Sequence, residues 1–109
     1  MKDVSYDNPV MKTEPTLNEL TAFYKLLGNG SRLAILLALQ QGEDIVAGIC
    51  SRTGLSQTLV SHQLAILHTH NVVRPRRDGR RTYYALADRH IETIIGFALE
   101  HLREQEGTS

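Results

Sequence analysis

Asp88, His90, His101 and Glu104 are residues of metal-ligand type, set as two short pairs along what reads as the last helix of the chain. Imidazoles and carboxylates together suit a divalent ion such as zinc. Their spacing, however, rules out a site closed within one helix. From His90 to His101 is 11 positions, roughly 16 Å at about 1.5 Å per residue, whereas a metal takes its ligands at about 2.0 to 2.2 Å. If the four act together, each pair meets the opposite pair of a second, antiparallel copy of the helix, giving two equivalent sites across a twofold axis. Taken singly each residue has an ordinary role: Asp88 stands where a helix N-cap belongs, the histidines suit a surface, and Glu104 lies in an acidic stretch.

The helix that carries them must be positioned. Ile91, Ile94, Ile95, Ala98, Leu99 and Leu102 read as one apolar stripe along it, expected to bury against the twofold mate. Earlier in the chain, Leu17, Leu20, Phe23, Tyr24 and Leu27 recur at helical spacing up to Gly28. A second helix from about Ser31 carries Leu33, Ile35, Leu36, Leu37 and Leu39 almost all round, the pattern of a central element, and stops near Gly42. A short helix over about 45–52 closes at Thr53-Gly54, and another opens with Ser56 as N-cap.

Two helices joined by a tight turn containing glycine match the helix-turn-helix pattern. On the second, Leu59, Val60, Leu64 and Leu67 can face the core while Gln57, Thr58, Ser61 and His62 face out. With Ser56, these short donor-and-acceptor side chains are the expected DNA-reading set, since base edges and phosphates call for such groups near a helix N-terminus. The chain then runs Val72-Val73-Arg74-Pro75-Arg76-Arg77, Asp78-Gly79, Arg80-Arg81-Thr82-Tyr83-Tyr84-Ala85-Leu86. Asp-Gly between such segments predicts a hairpin with both residues in the turn. Pro75 cannot donate to a ladder and belongs on the outer side of its strand.

Net charge is zero, yet the segment from Ile45 to Arg81 has six arginines against Asp78 alone, a net +5. A neutral protein with one basic segment points to a local polyanion contact. Arg76, Arg77, Arg80 and Arg81 are therefore expected to grip phosphate from a wing beside the reading helix.

At 109 residues the chain is most simply one domain, over 16–106, after a flexible tail over 1–15. Apolar residues at 41% and charged residues at 22% are ordinary for a water-soluble protein. No run is long and apolar enough for a membrane helix or signal peptide, so the expected location is the cytoplasm and no membrane partner is expected. The lone Cys50 can form no internal disulfide.

The element order, with Leu55-Ser56-Gln57-Thr58-Leu59-Val60-Ser61-His62-Gln63-Leu64 and then Gly79-Arg80-Arg81-Thr82-Tyr83-Tyr84-Ala85-Leu86, resembles the ArsR/SmtB family of bacterial metal-sensing repressors over about residues 17–105. The resemblance implies a mainly α fold with a small β-hairpin, a winged helix-turn-helix homodimer whose N- and C-terminal helices form the interface. It also implies operator DNA as partner, bound without metal and released when metal binds. Thiol sensors of the family carry a cysteine box in the short helix before the turn. Here that stretch is Asp44-Ile45-Val46-Ala47-Gly48-Ile49-Cys50, with Val46 at the key cysteine position, so Cys50 reads as a small buried apolar residue. The C-terminal-helix site of the family's zinc sensors matches at Asp88, His90, His101 and Glu104.

That donor set suits tetrahedral Zn(II) and tolerates Co(II), while Ni(II) would want further donors, for which the tail offers Asp3 and Asp7. In resembling sensors the second ring nitrogen of the His101 equivalent bonds a carbonyl just after the reading helix, here that of Asn71. The alternative is a regulator of the same fold with no metal effector, or one sensing nickel or another signal. An enzyme is disfavoured, because four protein ligands leave no open position on the metal.

Overall fold

The computed structural model describes residues 16–108, with side chains described through Glu106. The tail over 1–15, with Asp3 and Asp7, lies outside the described residues. Among the described residues, five helices and one hairpin follow in order: α1 Leu17–Leu27, α2 Gly30–Gln40, α3 Val46–Thr53, α4 Gln57–Thr69, β1 Val73–Asp78, β2 Arg81–Leu86 and α5 Arg89–Thr108. This is the expected winged helix-turn-helix.

Local chemistry accounts for most boundaries. Thr16 and Glu19 form a reciprocal capping box at the start of α1, Asn29 accepts from the Arg32 N–H at α2, and Ser56 accepts from the Leu59 N–H at α4. Helix α4 ends in a Schellman motif: the Asn71 N–H donates to the His68 carbonyl and the Val72 N–H to the Leu67 carbonyl. Asn71 occupies the left-handed position this requires, at φ 61°.

The helix α2 is the central element, touching α1, α3, α4 and β2. Its Ile35 and Leu36 join Ile49, Val60, Leu64, Leu67, Val72 and Val73 as the most deeply buried residues. Cys50 is half-buried against this core and is a free thiol. Leu86, Ile91 and Ile95 close the core from the wing side.

The hairpin is antiparallel, with Asp78 paired to Arg81, so its two-residue loop is Gly79-Arg80. The turn is thus one residue later than Asp78-Gly79. Only Gly79 has positive φ there, at 65°, which fits a turn needing glycine at its first central position alone. The shift lets Asp78 extend the ladder. Tyr84 directs its backbone outward, exchanging hydrogen bonds of 2.8 and 3.1 Å with Asp44. Its cross-strand partner Pro75 therefore sits at a non-hydrogen-bonded pair, where a missing N–H costs nothing.

Candidate DNA interface and metal-ligand pairs

Helix α4 presents the predicted polar face. Ser56, Gln57, Thr58, Ser61 and His62 are all exposed, while Val60, Leu64 and Leu67 are buried and Leu59 half-buried. No acid from α4 intrudes on this face. The Ser56 hydroxyl is already accepting from the Leu59 N–H at 3.1 Å, which leaves its own proton for an outside acceptor.

One residue of this helix escaped the sequence reading. Gln63 is buried, at 6% exposure, and fully engaged: Arg32 donates to its Oε1 at 3.0 Å and it donates to the Ser31 hydroxyl at 3.1 Å. Arg32 also donates to the Leu26 carbonyl at 2.7 Å. A polar network thus ties α4 to the end of α1 and the start of α2. The available signal was a glutamine at i+3 from Val60 and next to Leu64, on the apolar side of α4.

The wing divides its arginines. Cross-strand pairing puts Arg74, Arg76, Tyr83 and Arg81 on one face, and Arg77 on the other with Pro75 and Thr82. Arg74 donates to the Ala87 carbonyl and Arg76 to both carboxylate oxygens of Glu43, at 3.1 and 2.7 Å. Arg77 is bound only weakly, to the Gly79 carbonyl at 3.4 Å. Arg80 and Arg81 are exposed with no polar partner among the described residues. Of the four expected phosphate-gripping arginines, the fold leaves Arg77, Arg80 and Arg81 available and engages Arg76. The Arg76 fork also holds the Glu43 carboxyl below its ordinary range, chiefly through the hydrogen bonds and further through its charge and that of Arg74.

On α5 the expected stripe separates. Ile91 and Ile95 are buried in the chain's own core with Leu99 packed beside them, whereas Ile94, Phe97 and Leu102 are exposed. The correction has a geometric cause. At about 100° per residue, Ile91, Ile95 and Leu99 form one ridge, and His90, Ile94, Phe97, His101 and Glu104 fall within about 80° of arc on another side. Leu102 continues the inner ridge but is exposed. The outward apolar residues are thus Ile94 and Phe97, which the sequence stripe omitted in part, and they lie between the two ligand pairs. Leu17, Leu20 and Tyr24 on α1 are likewise exposed.

The first ligand pair is assembled within the chain. Asp88 Oδ1 lies 3.6 Å from His90 Nδ1 and also accepts from the Ile91 N–H at 3.2 Å, capping α5. Two ligands on one tetrahedral ion with bonds of about 2.0 to 2.1 Å stand about 3.3 Å apart, so this pair is close to a ligand edge. His101 and Glu104 are exposed about three turns further on. Among the described residues no group of three or more His, Cys, Asp or Glu is close enough to hold a metal. His101 makes no hydrogen bond to Asn71 within the chain, and the Asn71 carbonyl has no donor among the described residues. No described helix is long and apolar enough to cross a membrane.

Residues 29–74, from the cap of α2 into β1, match the model of the arsR family of bacterial regulatory proteins. A transcriptional repressor of Synechocystis, an SmtB homolog, is 31% identical over 106 residues, covering 97% of this chain and 80% of its own length. A Staphylococcus aureus homolog of the cadmium resistance regulatory protein CadC is 27% identical, covering 94% and 79%. The solution structure of a homodimeric winged helix-turn-helix DNA-binding domain from Mycobacterium bovis superposes with a TM-score of 0.77 at 32% identity, covering 85% and 86%. These relatives are regulators rather than enzymes, and the chain belongs to the ArsR/SmtB family of winged helix-turn-helix transcriptional regulators.

Proposed function

We propose that the protein is a metal-responsive repressor that binds operator DNA as a metal-free homodimer and is released by Zn(II) or Co(II) held between its two α5 helices. The observation that carries this reading is the shared outward face of α5, where His90, His101 and Glu104 flank Ile94 and Phe97. Covering that apolar surface with a second copy is favourable, and antiparallel pairing brings each Asp88-His90 pair to a His101-Glu104 pair. The donor set fits the ion: two imidazoles and two carboxylates, one pair already at ligand-edge distance. The kinship with a cadmium resistance regulator supports a metal effector of some kind.

Ser56, Gln57, Thr58, Ser61 and His62 read the major groove, and Arg77, Arg80 and Arg81 hold phosphate beside it. A bound ion supplies a cross-link between the two α5 helices. With the ion bound, His101 would couple that end of the dimer to the reading helix by donating from its second ring nitrogen to the Asn71 carbonyl, a bond absent from the chain as described. DNA and metal then oppose one another by a single coupling free energy.

The test is anisotropy of a labelled operator duplex, selected from random-sequence DNA, at fixed salt with no metal and with zinc, cobalt or nickel. Zinc should weaken binding at least 10-fold, and His101→Gln should keep metal-free affinity while losing most of that response. Because Asp88 has a capping role of its own, a regulator without a metal effector is the competing reading, and stoichiometric DNA binding with no metal response would select it.

A further inference from the structure

We propose that Glu43 withholds Arg76 from the DNA backbone, acting as an internal stand-in for phosphate that lowers the sequence-independent part of the protein's affinity. The inference rests on the wing meeting DNA. Arg76 presents its Nε and one terminal nitrogen to the two oxygens of Glu43, the same fork geometry it would offer a phosphate. The guanidinium carbon lies 4.9 Å from the centre of the Tyr83 ring, and the remaining nitrogen is 4.0 Å from Asp78. Its Nε-side fork and one face are therefore occupied by the protein, and its remaining nitrogen lies near Asp78 without a hydrogen bond.

Glu43 is held in place by more than its side chain. The next residue, Asp44, is stitched through its backbone N–H and carbonyl to Tyr84, immediately beside Tyr83. The loop after α2 therefore runs as a short third rung against β2, and that rung delivers the carboxylate. Both partners are substantially exposed, so the pair can be opened without disturbing the core. By contrast, Arg80 and Arg81 are exposed without polar partners among the described residues and Arg77 is only weakly held, so these three are the cations the wing leaves for DNA.

The consequence lies in how affinity divides. Each phosphate contact adds about 0.9 to the slope of log affinity against log salt and serves every sequence alike. Keeping one wing arginine paired lowers non-specific binding, while contacts from α4 to base edges are unaffected. Glu43 thus lowers affinity for every duplex by a common factor and leaves discrimination between sequences to α4.

The experiment measures affinity for a duplex of unrelated sequence by anisotropy across a salt series, using the full chain. Glu43→Gln should steepen the salt slope by about 0.9, so that its gain over wild type is about 3.5-fold larger at 50 mM than at 200 mM salt. In an Arg76→Gln background the same change should leave the slope as it was. An unchanged slope in Glu43→Gln overturns the proposal. So does an equal steepening with and without Arg76, which would show a general field effect of the lost charge. Wild type failing to bind any duplex at any salt would instead remove the DNA-binding reading, and this inference with it.

Discussion

The guanidinium of Arg32 donates to Oε1 of Gln63 across 3.0 Å, joining the start of α2 to the buried side of α4. The same glutamine donates to Ser31, so its amide is satisfied at both ends. Leucine at this site would match the shape but remove one partner from each, leaving Arg32 its bond to the Leu26 carbonyl and Ser31 its bond to Asn29. We expect Gln63→Leu to cost about 1 to 3 kcal/mol, because an Arg32 donor and the Ser31 hydroxyl lose partners in a half-buried setting. Urea unfolding at fixed protomer concentration measures it, and wild-type stability would show that water replaces the amide without loss.

Asp88 caps α5, and substitution can separate that role from the metal binding proposed for it. Asparagine still accepts at a helix N-cap, so Asp88→Asn should hold stability within about 0.5 kcal/mol while Co(II) affinity, followed by visible absorption, falls at least 10-fold. Asp88→Ala should lose the metal and about 1 kcal/mol of stability as well. Equal cobalt affinity in wild type and Asp88→Asn would remove this carboxylate from the ligand set.

Gly48 lies under the Asp44 carboxylate, and a Cβ there would collide with it. That carboxylate accepts from the Ile45 N–H at 2.8 Å and pairs with Arg52 at 3.5 Å, so displacing it breaks both contacts. We expect Gly48→Ala to lower the melting temperature in the wild-type background. In an Asp44→Ala background the sign should reverse, with alanine's helix preference adding about 0.5 to 1 kcal/mol. Thermal melts of the four proteins decide it, and additive effects would exclude the clash.

The Glu43 carboxyl should titrate below its ordinary value of 4.5, chiefly because Arg76 hydrogen-bonds its ionised form. Its folded value lies below its unfolded one, so the pair's contribution is present above the unfolded value and fades as pH falls through the folded value. Carboxyl-carbon NMR should show that low midpoint in wild type and a rise towards 4.5 in Arg76→Gln. An unmoved midpoint would mean that Arg76 is not the cause.

Several features were legible in the chain because they depend on neighbours in sequence. The cap at Ser56, the polar outer face of α4, the hairpin around Gly79 and the placement of Pro75 all follow from local periodicity, side-chain hydrogen bonding and strand geometry. The distance between the ligand pairs also needed only the helical rise. The relation of the ligands to the helix's buried side did not. Ile91 and Leu102 share a ridge, yet only the former is buried, a difference that helical periodicity does not contain.

Tertiary structure also decided the fates of Arg76 and Gln63. Arg76 reads as one more basic residue of the wing until the loop after α2, 33 residues away in sequence, brings Glu43 to it. Gln63 reads as a polar residue of a surface helix until Arg32, 31 residues earlier, reaches it inside. Sequence by itself determined the inventory: a winged helix-turn-helix, a basic hairpin and two ligand-type pairs too far apart for one chain. Which cations remain free for DNA, and which side of α5 remains open to a partner, were decided by packing, since burial and long-range pairing arise only when distant segments meet.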